Sequence, residues 1–118
     1  MGLNVTKIFD GVTVAASASA TSASIPLSNV QGYFGFQHTV TGDGTVKFEL
    51  LVSLNGDDFL EPSELSDIAA DIVKTSGPGS DGKDIYQVTA TTAKFIKIKA
   101  TETGTSNNVT LNCWVAVQ

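Results

Sequence analysis

The sequence has no arginine and only one cysteine, one histidine and one tryptophan, and its seven basic residues are all lysines. Without arginine the chain lacks the planar fork that grips phosphates, and a net charge of −5 repels polyanions, so we expect no nucleic-acid partner. Cys113 has no second cysteine for an internal disulfide. No apolar run approaches the roughly 18 residues of a membrane span, and we expect neither a membrane partner nor a signal peptide.

The residues that are present are typical of a small β-protein. The chain has 118 residues, a length that predicts a single domain spanning 1–118. Charged residues make up 16%, and polarity comes instead from 14 threonines and 11 serines, which suit outward strand faces.

Alternation of apolar and polar residues predicts the strands. It is clearest over 45–54 and 109–117 and is also present over 32–40 and 93–101, with weaker strands predicted at 5–9, 11–16, 24–27 and 85–90. We therefore predict an all-β fold, an antiparallel β-sandwich of jelly-roll type with about eight strands.

Glycine-rich turns and one helical pattern complete the prediction. Residues 41–44 and 102–108 read as turns of two tight hairpins, and Asp10-Gly11 separates the first two strands. The segment 15–24 is a low-complexity stretch of Ala, Ser and Thr. Apolar residues recur at helical spacing after Pro62, which predicts a short helix near 63–73.

No motif supports catalysis or a resident metal. Residues 53–64 can be laid onto a calcium loop with Asn55, Asp57 and Glu64 as ligands, but Ser53 stands at the first position and Asp58 where glycine makes the turn. An Asn-Gly turn after a strand, with Phe59 returning to the core, is the simpler interpretation. His38 shares a parity with core aromatics, and no nucleophile and base pair is visible, so we expect no catalytic residue, no metal and no cofactor.

Three residues are candidates for a contact surface. Trp114 lies opposite the apolar parity of its strand, and Leu51 does the same in another strand. With Tyr33, these are the residues that we expect at an interface, because exposed aromatic residues often mark contacts.

Two segments carry a family resemblance. The phrase TVKFELLVSLNGDDF at 45–59 and the pair of segments at 93–101 and 109–117 resemble the central strand and turn and the closing hairpin of small β-sandwich virion proteins of tailed bacteriophages. The opening VTKIFD is typical of them as well. The resemblance implies a non-enzymatic particle component, such as a capsid decoration or cement protein, a head fibre or a tail accessory. It also implies location in the virion after synthesis in the host cytoplasm, with partners that are other virion proteins and copies of itself, often as trimers.

The same phrase is similar to carbohydrate-binding sandwiches of the discoidin type. In that alternative, the protein binds a sugar or a host surface, with Trp114 or Tyr33 stacking on a ring and Asp57 or Asn55 binding hydroxyls or calcium. Neighbouring genes for capsid or tail proteins would favour the first function, and fusion to a hydrolase would favour the second.

Overall fold

The computed structural model describes residues 4–27, 33–62, 67–89 and 93–117. Within them the chain forms nine strands and no helix, which confirms the all-β prediction. The strands are β1 (Asn4–Val14), β2 (Ser19–Thr21), β3 (Ile25–Pro26), β4 (Tyr33–Thr41), β5 (Val46–Ser53), β6 (Asp67–Ile72), β7 (Lys83–Thr89), β8 (Phe95–Glu102) and β9 (Val109–Val117).

Two antiparallel sheets pack against each other. The first has the order β1-β9-β4-β7, and the second has the order β2-β8-β5-β6 with β3 also paired to β8. With β2 and β3 taken as one interrupted strand, this is the strand order of a jelly roll. In that fold two four-stranded sheets face each other, and most consecutive strands lie in opposite sheets. The sandwich prediction is therefore confirmed at the level of topology.

The two predicted hairpins are wrong. β4 and β5 are joined by the 41–44 turn but lie in different sheets, and so do β8 and β9 on either side of the 102–108 loop. Both turns carry the chain across the sandwich rather than back along the same sheet. A tight turn between two alternating segments has the same sequence whether it joins strands of one sheet or of two. The turn is set by local residues, whereas the sheet to which each strand belongs depends on contacts distant in the chain.

Strand β1 corrects another boundary. Asp10-Gly11 does not separate two strands, since β1 runs unbroken from Asn4 to Val14 beside β9. Gly11 has a φ of 63° and lies at a shift in register between Asp10 and Val12. The glycine thus makes a β-bulge within one strand, a role that its positive φ permits.

The short helix predicted near 63–73 is wrong over residues 67–72, which form β6, and residues 63–66 lie outside the described part of the chain. β6 pairs Ile72 with Val46 and Ala69 with Phe48, with register shifts along the pair. Asp71 has a φ of 57°. This irregularity lets Ala69 and Ile72, three positions apart, both pair with β5, and the spacing imitates a helical period.

The side chains that point inward from both sheets form the core. Strand β9 alternates buried and half-buried residues along its whole length, as its sequence predicts. Phe36 and Phe48, from opposite sheets, meet edge to face at the centre with ring centroids 4.9 Å apart. Such a pair adds roughly 0.5–1.5 kcal/mol beyond the burial of its area.

Glu102 ties one end of the sandwich together. Its carboxylate is 1% exposed and accepts backbone N–H bonds from Ser17, Thr45, Gly104 and Thr105 at 2.7–3.0 Å. These hydrogen bonds, led by that from Thr45, lower the pKa of Glu102 to about 2. The three connections at this end are therefore held by one charged side chain.

Candidate functional site

The outer face of the four-stranded sheet presents a row of four side chains, two of them large and apolar, that crosses all four strands. Lys7 of β1 lies opposite Trp114 of β9, Trp114 lies opposite Gln37 of β4, and Gln37 lies opposite Ile85 of β7. Their side chains share the parity that points away from the core, because Cys113, His38 and Tyr86 belong to the inward parity. The row places Trp114 and Ile85 on one surface.

A second row, with small residues at its centre, runs beside it. Val5, Ala116, Gly35 and Gln87 are aligned across the same four strands. A Cβ added at Gly35 would lie 3.7 Å from the Cβ of Ala116, an ordinary contact distance. Ala116 and Gly35, at the centre of this row, are thus flanked by the larger side chains of Val5 and Gln87.

Several apolar side chains are exposed on this surface. Ile85 is 67% exposed, Val5 59% and Tyr33 43%, and all three are on this face. Trp114 is half-buried, with the Nζ of Lys7 5.1 Å from its ring centroid, and Lys7 also pairs with Asp10 at 2.9 Å. We call this surface, comprising Val5, Tyr33, Ile85 and Trp114, the outer apolar face.

The three candidate contact residues do not form one surface. Trp114 and Tyr33 share the outer apolar face, whereas Leu51 lies on the outer side of the second sheet, opposite Lys97 of β8. Ile85 and Val5 also belong to this face and were not among the predicted contact residues. Ile85 could have been found by the rule that selected Trp114, since it is an apolar residue on the Lys83, Gln87 and Thr89 parity of its strand.

The outer side of the second sheet is charged. The Nζ of Lys97 lies 4.2 Å from the ring centroid of Phe59, so Phe59 is covered on the surface rather than returned to the core, as the sequence had suggested. Carboxylate oxygens of Glu49, Glu61 and Asp67 lie within 4.8 Å of one another, and the Nζ of Lys47 is 3.8 Å from Glu49 and 4.0 Å from Asp67. Burial raises the pKa of Glu49, with Lys47 acting in the opposite direction. Lys47 thus supplies positive charge to this acidic cluster.

A second apolar site lies where β5 ends. Leu54 is 71% exposed and Leu60 67%, and both line an open cavity of about 340 Å³ together with Val52 and Asp58. A backbone bridge between Val52 and Leu60 holds the returning chain in place. We call this cavity the leucine groove.

The loop beside the leucine groove is organised by Asn55. Its Oδ1 accepts the backbone N–H groups of Asp57 and Asp58, both at 2.9 Å. The calcium loop that the sequence analysis set aside would need this oxygen as a ligand, and its Glu64 lies outside the described residues. Asn55 here makes an Asx turn, which is a sufficient structural role.

The buried polar residues of the core are not accessible to a substrate. His38 and Cys113 lie opposite each other on β4 and β9, a proximity that the sequence did not indicate, but each is 0% exposed. The Nδ1 of His38 is 3.0 Å from the Gly82 carbonyl oxygen, and burial lowers the pKa of this imidazole. Burial also raises the pKa of the Cys113 thiol to about 12, which disfavours the nucleophilic thiolate.

In the described part of the chain no helix is long and apolar enough to cross a membrane.

No family model and no curated protein matches the sequence. Solved structures do match the fold. One is the infectious bursal disease virus VP2 subviral particle, with a TM-score of 0.61, 8% identity and coverage of 98% of this chain and 31% of that one.

Derived T=1 particles of the same virus give a TM-score of 0.61 at 8% identity, covering 99% of this chain and 32% of that chain. The chain therefore spans about a third of the length of these viral proteins. A periplasmic inhibitor of g-type lysozyme from Aeromonas hydrophila, PliG, matches with a TM-score of 0.51 at 11% identity over 98% of this chain and 86% of that chain. At such low identity these likenesses show a shared fold: the chain is a β-sandwich similar to proteins of viral particles and to a lysozyme inhibitor.

Proposed function

We propose that the protein is a non-enzymatic structural component of a phage or prophage particle, as a capsid decoration, head-fibre or tail accessory protein. It acts by docking on protein surfaces, including copies of itself, in the virion after synthesis in the bacterial cytoplasm. The sequence resemblance described above and the fold shared with a viral particle protein support this proposal.

The observation that carries the proposal is the outer apolar face. Ile85 and Val5 expose 67% and 59% of their surface on the same side of one sheet. Single exposed apolar residues are ordinary, and Val5 and Ile85 lie on opposite edge strands of the sheet, but four apolar residues on one face favour an interaction site. Burial of such area between subunits stabilises an assembly by roughly 25 cal/mol per Å² before the cost of association is subtracted.

Sedimentation velocity over a concentration series tests the proposal. We expect reversible self-association of the wild type, and we expect it to weaken in Gln37→Glu, which places a charge between Trp114 and Ile85. The matched control is Leu51→Glu, which places the same charge on the other sheet, opposite Lys97. A monomeric wild type at millimolar concentration would exclude self-association, and weakening by Leu51→Glu alone would move the contact to the second sheet.

A specific observation also favours a carbohydrate-binding function as the alternative. The amide side chains of Gln37, Gln87 and Asn112 share the outer parity with Trp114, so an aromatic ring and neutral hydrogen-bonding groups lie on one surface. That combination can stack on a sugar ring and bind its hydroxyl groups. A glycan array with and without calcium tests it, and specific signal that Trp114→Ala removes would support the alternative.

A further inference from the structure

We infer that the carboxylates of Asp81 and Asp84 cap the outer edge of strand β7 and prevent it from pairing with the same edge of a second copy of this chain. The contact is autoinhibitory, because removal of the caps would let two β7 strands join antiparallel about a two-fold axis. The inference does not depend on the proposed function, since it concerns a sheet edge and not the outer apolar face.

Strand β7 is the one regular edge among those that the described residues form. The other edges are β1, β6 and the pair β2 and β3. β1 and β6 have register shifts against their neighbours, and β2 and β3 are three and two residues long, with Pro26 in β3. Irregular pairing, short strands and proline are devices that keep sheet edges from pairing. β7 pairs with β4 over seven residues without a shift, so its protection has to come from elsewhere.

The hydrogen bonds to β4 show which backbone groups of β7 face away from the sheet. The N–H of Val40 donates to the carbonyl oxygen of Gly82 at 2.9 Å. In an antiparallel pair such bonds recur at every second residue, so Gly82 and the even-numbered residues of β7 bond to β4. The odd-numbered residues therefore direct their N–H and C=O groups towards the outer edge, and they are Lys83, Ile85, Gln87 and Thr89.

Two of these four N–H groups are occupied by side-chain carboxylates. The N–H of Lys83 donates to Oδ1 of Asp81 at 3.2 Å, and that of Ile85 donates to Oδ1 of Asp84 at 2.8 Å. Each oxygen stands where a carbonyl oxygen of an added strand would have to bond, and a charged acceptor bonds more strongly than a neutral one. Within the described residues the other two edge N–H groups have no such cap.

Asp84 opposes pairing in a second way. It shares its side of the strand with Tyr86 and Val88, which is the side that faces the core, and it is half-buried at the margin of the sandwich. An inward-pointing charged residue protects an edge, because an added strand would bury the charge without a partner.

The β7 strand of a second copy fits this edge when the caps are absent. Antiparallel pairing with Tyr86 opposite its counterpart sets Ile85 opposite Gln87 and engages all the edge residues of both strands. In the wild type this pairing would break both caps on each copy. It would also set the Asp84 carboxylate opposite Val88, an apolar side chain. The capped edge is therefore closed to this partner.

Two double variants test the caps. Asp81→Ala with Asp84→Ala removes the acceptor oxygens, whereas Asp81→Asn with Asp84→Asn retains an oxygen acceptor on each side chain. Both double variants remove the same charge. In sedimentation velocity we expect the alanine variant to associate at least about tenfold more tightly than the wild type, because pairing no longer breaks the caps. We expect the asparagine variant to associate as the wild type does, and circular dichroism to be unchanged in both.

Two results would overturn the inference. One is an alanine variant that associates no more tightly than the wild type. The other is equal strengthening in the asparagine variant, which would assign the protection to charge repulsion rather than to the caps.

A proline at position 87 shows whether the new contact uses the β7 edge. The N–H of Gln87 faces away from β4, so Gln87→Pro removes one edge donor and leaves the hydrogen bonds to β4 in place. Added to the alanine variant, it should return association to the wild-type level. Tight association that persists would place the contact elsewhere and contradict the inference.

Amide hydrogen exchange tests the caps without any substitution, in case the alanine variant fails to fold. At a concentration where the wild type is monomeric, the N–H groups of Lys83 and Ile85 should exchange at least about tenfold more slowly than those of Gln87 and Thr89, after correction for sequence-dependent rates. Equal exchange at all four positions would show that the caps do not form. This outcome is distinct from failure of the proposed function, which Gln37→Glu tests on the outer apolar face.

Discussion

Trp114→Ala should separate the stability of the monomer from its assembly. Trp114 lies on the central strand β9 and is half-buried, with Lys7 5.1 Å from its ring. Loss of that cation–π contact costs about 0.5–1 kcal/mol, and loss of the cross-strand contact with Gln37 costs about 0.2–1 kcal/mol. We therefore expect the free energy of unfolding to fall by about 1–2 kcal/mol, which leaves a domain with a typical stability of about 5–15 kcal/mol folded.

The effect on assembly should be separate from this loss. The indole supplies part of the outer apolar face, so its removal should weaken self-association about fivefold to thirtyfold, equivalent to about 1–2 kcal/mol. Urea denaturation at low concentration measures the first effect, and sedimentation velocity of the folded variant measures the second. Trp114→Phe is the matched control, because it retains an aromatic ring beside Lys7.

Two results would refute this reasoning. If Trp114→Ala unfolds the monomer, the ring is a core residue and not a surface contact. If the variant is folded and assembles as the wild type does, Trp114 lies outside the interface, and Ile85 alone would have to define the contact.

Three further predictions concern the fold. Because burial holds the pKa of His38 below its ordinary 6.5, the unfolded imidazole takes up a proton first as the pH falls. Urea denaturation should therefore show wild-type stability declining below pH 6.5, by at most about 1.4 kcal/mol per pH unit, and His38→Leu should flatten that decline; equal slopes would contradict it. The carboxylate of Glu102, with a pKa lowered from 4.5 to about 2, contributes stability that is present above pH 4.5 and lost as the pH falls towards 2. Glu102→Gln should lower the urea midpoint at pH 7, and an unchanged midpoint would exclude this role. Gly82 has a φ of 76°, and a Cβ there would meet the Val40 carbonyl oxygen, so Gly82→Ala should cost at least about 2 kcal/mol by thermal denaturation. A loss no larger than the roughly 0.5 kcal/mol of ordinary surface substitutions would refute this prediction.

The sequence predicted strands well where one face is buried along the whole length. β9 matches the predicted 109–117, and β5 runs from Val46 to Ser53 within the predicted 45–54. Burial alternates without interruption along β9, which lies inside a sheet with one side against the core, whereas in β5 Glu49 and Ser53 are buried as well. Where a bulge shifts the alternation, as at Gly11 and Asp71, the pattern indicated a break or a helix instead.

Composition and alternation alone determined that this is an acidic, threonine-rich β-protein with an apolar tryptophan on the polar side of its last strand. Both properties follow from local chemistry, since side chains of a strand alternate between two faces whatever the strand pairs with. Strand pairing itself is non-local, and only the tertiary structure decided that the turns at 41–44 and 102–108 cross between sheets. The same pairing aligned Trp114 with Ile85 through Gln37 and placed Leu51 on the opposite side of the sandwich. A contact surface is assembled from strands distant in the chain, so its membership depends on sheet order, which the alternation of single strands does not encode.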